Sequence, residues 1–102
     1  MTPAKASVSF QQDTLSIEGE INFATVVELR DRGDHWLRTE APQQCLLDLA
    51  KVTRCNSVAT SLLLSWLRTA NGVNKQIVIE NVPPALRSLI DLGGLVSLIP
   101  AK

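Results

Sequence analysis

The chain has 102 residues, of which 45% are hydrophobic and 20% are charged, and its ten basic and ten acidic side chains cancel. This length and composition predict one globular domain, residues 1–102, with a core between two layers. A neutral chain has no broad positive field, so binding to nucleic acid or direct insertion into a membrane is not expected. Apolar runs stay well short of the roughly 20 residues that span a bilayer, and MTPAKASVSF lacks the core of a secretory signal, so we expect a cytoplasmic protein.

The first half of the chain predicts a hairpin followed by a helix. Residues 7–12 and 14–19 alternate apolar and polar side chains, which is typical of two paired strands. Asn22 is a good N-cap for a helix over 23–39. Gly33, in the middle of that helix, is expected to let it lie close to the sheet. The inward face of the helix is predicted to carry Val26, Leu29, Gly33, Trp36 and Leu37.

The second half continues the alternation of strands and helices. Its predicted elements are a short central strand CLLDLA (45–50), a helix that begins within RCNSVATSLLL (54–64) and stops at Asn71-Gly72, a strand at 76–82, a helix that starts with Pro83-Pro84 and stops at Gly93-Gly94, and a last strand at 96–100. The order β-β-α-β-α-β-α-β predicts an α/β fold with a mixed, mostly parallel sheet and helices mainly on one face.

The outer face of the second helix is unusually smooth. At about 100° per residue, one side of the helix carries Ala59, Leu62, Leu63, Trp66 and Ala70, and the other carries Ser57, Thr60, Ser61, Leu64, Ser65 and Arg68. An outer face that meets only water usually carries several charges, whereas few charges around an apolar residue are typical of the centre of a protein interface. The alternative is that Asn56 or Ser57 is simply the N-cap and the small residues ease packing.

The residues with reactive side chains do not assemble into a recognisable catalytic or metal-binding motif. Cys45 and Cys55 form no CxxC pair, and we expect both to be free thiols near strand ends. Asp48 lacks a companion acidic cluster, so local pairing is the simpler expectation. His35 is the only histidine, and no nucleophile motif or phosphate-binding glycine loop accompanies it. We therefore predict no enzymatic activity, no metal and no cofactor.

Two segments are similar to sequence motifs of STAS domains. TLSIEGEI (14–21) resembles the hairpin motif L-x-L-x-G-E-L, and LLDLAKVTRCNS (46–57) resembles a hydrophobic strand that leads into Asp-Ser at a helix start. The resemblance covers nearly the whole chain and extends to anti-sigma factor antagonists and sulfate-transporter regulatory domains. Within the family, DTL-x-x-x-GEI (13–21), LDLAKVTR (47–54) and Pro100 most resemble the small stand-alone STAS subunit of Mla-type phospholipid ABC transporters.

This resemblance implies a non-enzymatic cytoplasmic subunit that binds the ATPase subunit of a lipid-transport ABC complex and supports its assembly and activity. Such a subunit would lie at the inner membrane only through its partner. The implied partner surface is the N-terminal part of the second helix, with Asn56, Ser57, Thr60, Ser61 and Leu64. The alternative is an anti-sigma factor antagonist that binds an anti-sigma serine kinase through the same helix. Without a partner, such a smooth face can self-associate.

Ser57 aligns with the serine that anti-sigma kinases phosphorylate in the sporulation-type members of the family. The chain departs from that pattern at Asn56, where the family has Asp, and at Ala59, where it has Gly. These departures lead us to predict that Ser57 is not phosphorylated. A phosphate there would add nearly two negative charges to the smooth face and would oppose docking.

Overall fold

The computed structural model describes residues 5–92 and contains a four-stranded sheet with three helices. The elements are β1 (Ala6–Gln11), β2 (Thr14–Ile21), α1 (Val26–Thr39), β3 (Gln44–Cys55), α2 (Val58–Gly72), β4 (Gln76–Glu80) and α3 (Pro84–Leu92). The sheet order is β1-β2-β3-β4, with β1 antiparallel to β2 and the other two pairs parallel. The mixed, mostly parallel sheet is confirmed. The observed order is β-β-α-β-α-β-α, because the predicted strand at 96–100 lies outside the described residues.

One face of the sheet is buried beneath the helices. Alternate strand residues point into the core: Val8, Leu15, Ile17, Cys45, Leu47, Leu49, Ile77 and Ile79. The predicted inward residues of α1 and α2 cover them, and Leu86 of α3 joins the same core. The other face carries exposed or half-buried residues such as Ser16, Asp48 and Glu80. The alternation in the sequence therefore predicts the buried face correctly, because neighbouring strand residues point to opposite sides.

The central strand β3 is longer than predicted. CLLDLA (45–50) was expected to be the whole strand, whereas β3 runs from Gln44 to Cys55. The added half pairs with the end of β2 as far as the pair Ile21 and Cys55, across two register shifts. The sequence did not predict this half as a strand, because its residues are mostly polar. Its pairing with β2, rather than local strand propensity, extends the strand here.

The two long helices pack directly on each other through a glycine. A Cβ at Gly33 would overlap with ring atoms of Trp66 in α2. Gly33 thus makes room for a neighbouring helix, and the expectation that it serves contact with the sheet is wrong. The Trp66 indole donates a hydrogen bond from Nε1 to the carbonyl of Arg30 at 3.2 Å. Trp66 and Trp36 are both buried, as predicted, and Trp36 stacks on Phe10 with the ring centroids 5.3 Å apart.

Helix α1 begins three residues later than predicted. Asn22 is not its N-cap, because the Asn22 Oδ1 atom accepts from the backbone amides of Ala24 at 2.8 Å and Thr25 at 3.1 Å in a turn before the helix. Thr25 occupies the N-cap position, but its hydroxyl makes no hydrogen bond to the first turn of the helix. The hydroxyl instead accepts from the backbone amide of Asn22 and donates to the carbonyl of Glu20. Phe23, predicted to be the first helical residue, therefore lies in the loop.

The end of α2 also differs from the prediction in detail. Gly72 was expected to stop the helix, but it is the last helical residue and Val73 is the C-cap. Asn74 takes the left-handed conformation with φ of 59°. The amide of Lys75 donates to the carbonyl of Ala70 at 2.8 Å, and that of Asn74 donates to Asn71 at 3.2 Å. This is a Schellman arrangement, with asparagine in the place that glycine usually fills.

The remaining boundaries follow the predicted punctuation. β4 ends at Glu80, two residues earlier than expected, because Asn81 is left-handed with φ of 58°. α3 starts at Pro84, where a proline is favoured in a first turn.

Cys45 and Cys55 are free, as predicted, and burial raises the pKa of both thiols. None of the helices within residues 5–92 has the length and apolar character to cross a membrane.

Candidate functional site

The loops that precede α1 and α2 lie side by side at one edge of the sheet. β2 and β3 are parallel, and Ile21 pairs with Cys55 at their ends. One residue farther, the amide of Asn56 donates to the carbonyl of Ile21 at 3.3 Å. Asn22, Arg54 and Asn56 line a shallow cavity of about 170 Å³ at this edge. Both helices therefore begin next to each other and run in the same direction.

At the start of α2, the local hydrogen bond is made by Asn56 and not by Ser57. The Asn56 Oδ1 atom accepts from the amide of Val58 at 3.0 Å. Ser57 occupies the N-cap position, but its side chain makes no capping hydrogen bond. Its side chain is exposed, and the hydroxyl has no hydrogen-bond partner among residues 5–92. The fold therefore uses the Asn56 side chain and leaves the Ser57 hydroxyl available.

The other predicted partner residues continue along the same side of α2. Thr60 is half-buried and donates from Oγ1 to the carbonyl of Ser57 at 2.7 Å, while Ser61 is exposed. Leu64 is half-buried and borders a groove of about 600 Å³ between α2 and β4. Within α2, Arg68 is the single charged residue. We call Asn56, Ser57, Thr60, Ser61 and Leu64 the docking face; at spacings of three or four residues, its helical members share one side of α2.

Two further exposed residues near this face were missed by the sequence analysis. Phe23 is 77% exposed and Val27 is 53% exposed, and they are the large hydrophobic residues of the described chain that are exposed. The sequence analysis missed Phe23 because it assigned this residue to the start of a helix. The exposure of Val27 could have been predicted, because this residue does not fall on the inward face predicted for α1.

Asp48 and His35 do not combine into a reactive centre. The Asp48 Oδ1 atom accepts from Asn81 Nδ2 at 3.0 Å and from the amide of Ala50 at 2.9 Å. These two hydrogen bonds lower the pKa of the Asp48 carboxyl, so this carboxylate pairs locally, as expected. His35 is exposed on α1. Within residues 5–92, His, Cys, Asp and Glu form no group of three or more that could hold a metal ion.

Comparisons with known proteins agree with the fold and with the motifs. The profile of the family described as "Mlab, STAS domain" matches residues 5–100. A STAS-domain containing protein of Pseudomonas aeruginosa (strain UCBPP-PA14) is 28% identical over 95 residues, which cover 93% of this chain and 92% of that protein.

Two solved structures share the fold. The anti-sigma factor antagonist SpoIIAA in its unphosphorylated form has a TM-score of 0.74 at 17% identity, over 96% of this chain and 88% of that one. An anti-sigma factor antagonist from Mycobacterium paratuberculosis has a TM-score of 0.75 at 23% identity, over 98% of this chain and 86% of that one. At such identities the likeness concerns the fold alone. The family profile, in contrast, spans nearly the whole sequence, and the chain therefore belongs to the STAS domain family described as Mlab.

Proposed function

We propose that this chain is a non-enzymatic subunit that binds the ATPase subunit of an Mla-type phospholipid-transport ABC complex through its docking face. One observation carries the proposal: the first turns of α2 present uncharged side chains, and the exposed Ser57 hydroxyl has no role in the local fold. Membership of the Mlab family supports a transporter as the partner. The proposed site of action is the cytoplasmic side of the inner membrane, which the subunit would reach through its partner.

The chemistry of the docking face suits binding rather than catalysis. Interfaces place few charges at their centre, because each buried charge must be stripped of water. Ser57 and Ser61 each offer a hydroxyl that can donate and accept, and Leu64 adds apolar contact area. A subunit that binds the assembled ATPase more tightly than the unassembled one stabilises the assembled state by mass action.

The second candidate function is an anti-sigma factor antagonist, and the exposed Ser57 is the observation that favours it. A phosphoacceptor serine must be reachable and must not be consumed by a cap, and Ser57 meets both conditions. The transporter function remains the leading proposal, because Asn56 and Ala59 depart from the residues that flank the phosphorylated serine in the antagonists.

The test measures binding of the purified chain to the ATPase subunit of the Mla-type transporter from the same cells, by calorimetry. Ser57→Arg places a charge at the centre of the docking face and should weaken binding by about 100-fold, in the range that an unpaired buried charge costs. Ser88→Arg makes the same change at an exposed serine of α3 and should bind like the unaltered chain. Equal binding by both variants would remove the docking face from the proposal.

Incubation with ATP and an anti-sigma serine kinase from the same cells separates the two candidates. We expect no phosphate on Ser57 by mass spectrometry. Stoichiometric phosphorylation of Ser57, together with no measurable affinity for the ATPase subunit, would establish the antagonist function instead.

A further inference from the structure

We infer that Phe23, supported by Val27, is the apolar anchor of the proposed interface and enters an apolar pocket on the ATPase subunit. This inference rests on the proposed function and specifies the chemistry that the partner must offer. A phenylalanine that is 77% exposed contributes little burial to the fold. Aromatic side chains, in contrast, are enriched among the residues that carry most of the binding energy of interfaces.

The position of the two residues connects them with the docking face. On α1, Val27 lies two helical turns before Asp34, whose Oδ1 atom accepts from the Thr69 hydroxyl of α2 at 2.9 Å. Residues seven apart share one side of a helix, so Val27 lies on the side of α1 that faces α2. Phe23 precedes that helix in the loop beside Asn56, because Ile21 receives the Asn56 amide. The loop that carries Phe23 thus borders the start of α2, where Asn22 and Asn56 line one cavity.

The loop that carries Phe23 is held in place before any partner arrives. The Asn22 Oδ1 atom accepts from two backbone amides of the loop, and the Asn22 amide donates to the Thr25 hydroxyl at 3.0 Å. That hydroxyl donates in turn to the carbonyl of Glu20 at 2.8 Å, and Thr25 is buried. A fixed loop loses little conformational entropy on binding, so the backbone that carries the Phe23 ring is preorganised for a complementary pocket.

The charges around the patch argue against a membrane as the occupant. Glu20 and Glu28 lie on either side of the loop. Arg30 follows on α1, and Arg54 lines the same cavity as Asn22. Segments that bind anionic lipid surfaces carry Lys and Arg beside their apolar residues, because the headgroups are negative. A balanced set of charges gives little attraction to such headgroups and is compatible with an apolar pocket in a folded protein.

The size of the patch argues against a second copy of the chain. A stable interface buries about 800 Å² on each partner, whereas one aromatic side chain supplies about 150–250 Å². Phe23 and Val27 alone are therefore too small for a stable dimer. Because the loop of Phe23 borders Asn56 of the docking face, we assign the patch to the occupant proposed for that face, the ATPase subunit.

Calorimetry with the purified ATPase subunit tests the inference, using Phe23→Ser, Phe23→Leu, Val27→Ser and the control Ala24→Ser. Phe23→Ser should raise the Kd by about 30-fold, as expected for an aromatic hot spot, and Val27→Ser by about fivefold. Phe23→Leu keeps an apolar side chain and should recover most of the affinity. Ala24→Ser alters an exposed neighbour in the same loop and should change the Kd less than twofold.

The outcomes distinguish this inference from the function on which it rests. An unaltered chain that binds, with Ser57→Arg defective but Phe23→Ser normal, would overturn the anchor and leave the proposed function standing. No binding by the unaltered chain would overturn both. Sedimentation equilibrium of the chain alone, and flotation with vesicles of phosphatidylglycerol and phosphatidylethanolamine, complete the test. Dimerisation or vesicle binding that Phe23→Ser abolishes would assign the patch to a second copy or to a lipid surface instead.

Discussion

The pair of helices α1 and α2 is packed tightly in its middle and open at its start. In the middle, which we call the packed half, the Trp66 ring fits against Gly33, and Asp34 accepts the Thr69 hydrogen bond. At the start, which we call the open half, Phe23, Ser57 and Ser61 are exposed, and the other members of the docking face are half-buried. The same two helices therefore supply stability in their middle and an accessible surface at their start.

The two halves differ in whether their large side chains are buried. In the packed half, a glycine on one helix admits an indole from the other, and the indole N–H finds a carbonyl. In the open half, Phe23 has no such recess and its ring stays exposed. Burial in the first region stabilises the chain itself, whereas exposure in the second leaves apolar area available for a partner.

Trp66→Ala should have the largest effect on folding, because it empties the packed half. Replacing a fully buried tryptophan by alanine costs about 3–5 kcal/mol, from lost burial and the cavity left behind. Urea denaturation followed by circular dichroism measures the change in the free energy of unfolding. A loss below about 1 kcal/mol would mean that the core is not organised around this residue.

Gly33→Val should destabilise the same half from the opposite direction, by overfilling it. A side chain at Gly33 meets the Trp66 ring, and overpacking of this kind costs about 1–3 kcal/mol. Gly72→Ala is the matched control, because a Cβ there meets nothing within 4 Å. The control should raise the free energy of unfolding by about 0.5–1 kcal/mol, since alanine loses less backbone freedom on folding. Equal effects of the two substitutions would contradict the helix contact.

Thr69→Val should produce a smaller loss, because it removes only the hydrogen bond to Asp34. A typical intramolecular hydrogen bond contributes about 0.5–1.5 kcal/mol, and valine keeps the shape of threonine. Thr39→Val is a useful comparison, because the Thr39 hydroxyl bonds only to the carbonyl of His35 at an exposed position. Thermal unfolding should show a lower Tm for the first variant and little change for the second. The reverse order would be evidence against the bridge between the helices.

Substitutions in the open half should have the smallest effect on stability. Phe23→Ser and Ser57→Arg change exposed side chains, and such changes usually stay within about 0.5 kcal/mol. Their urea midpoints should therefore match that of the unaltered chain, even though we expect both to weaken binding. A large loss of stability in either variant would show that the open half also holds the fold together.

The sequence alone determined most of the core, and it placed the residues of the proposed docking face on one side of α2. The inward residues of α1 and α2, the buried face of the strands and the smooth side around Ser57 and Leu64 all follow from local spacing. Spacing is informative here because the direction of a side chain depends on the helix or strand period. The sequence left open whether Asn56 or Ser57 is the N-cap; Ser57 occupies that position, while the side-chain hydrogen bond to Val58 comes from Asn56.

Only the tertiary structure decided which distant residues meet. It turned Gly33 toward Trp66 rather than the sheet, and it lengthened β3 beside the end of β2. It also moved Phe23 out of the predicted helix, because Asn22 and Thr25 bond to each other and to Glu20. Each result depends on partners from other segments or on competing hydrogen bonds, which a local period does not encode. The sequence thus specified which faces turn inward, and tertiary packing decided which part of the helix pair stayed open.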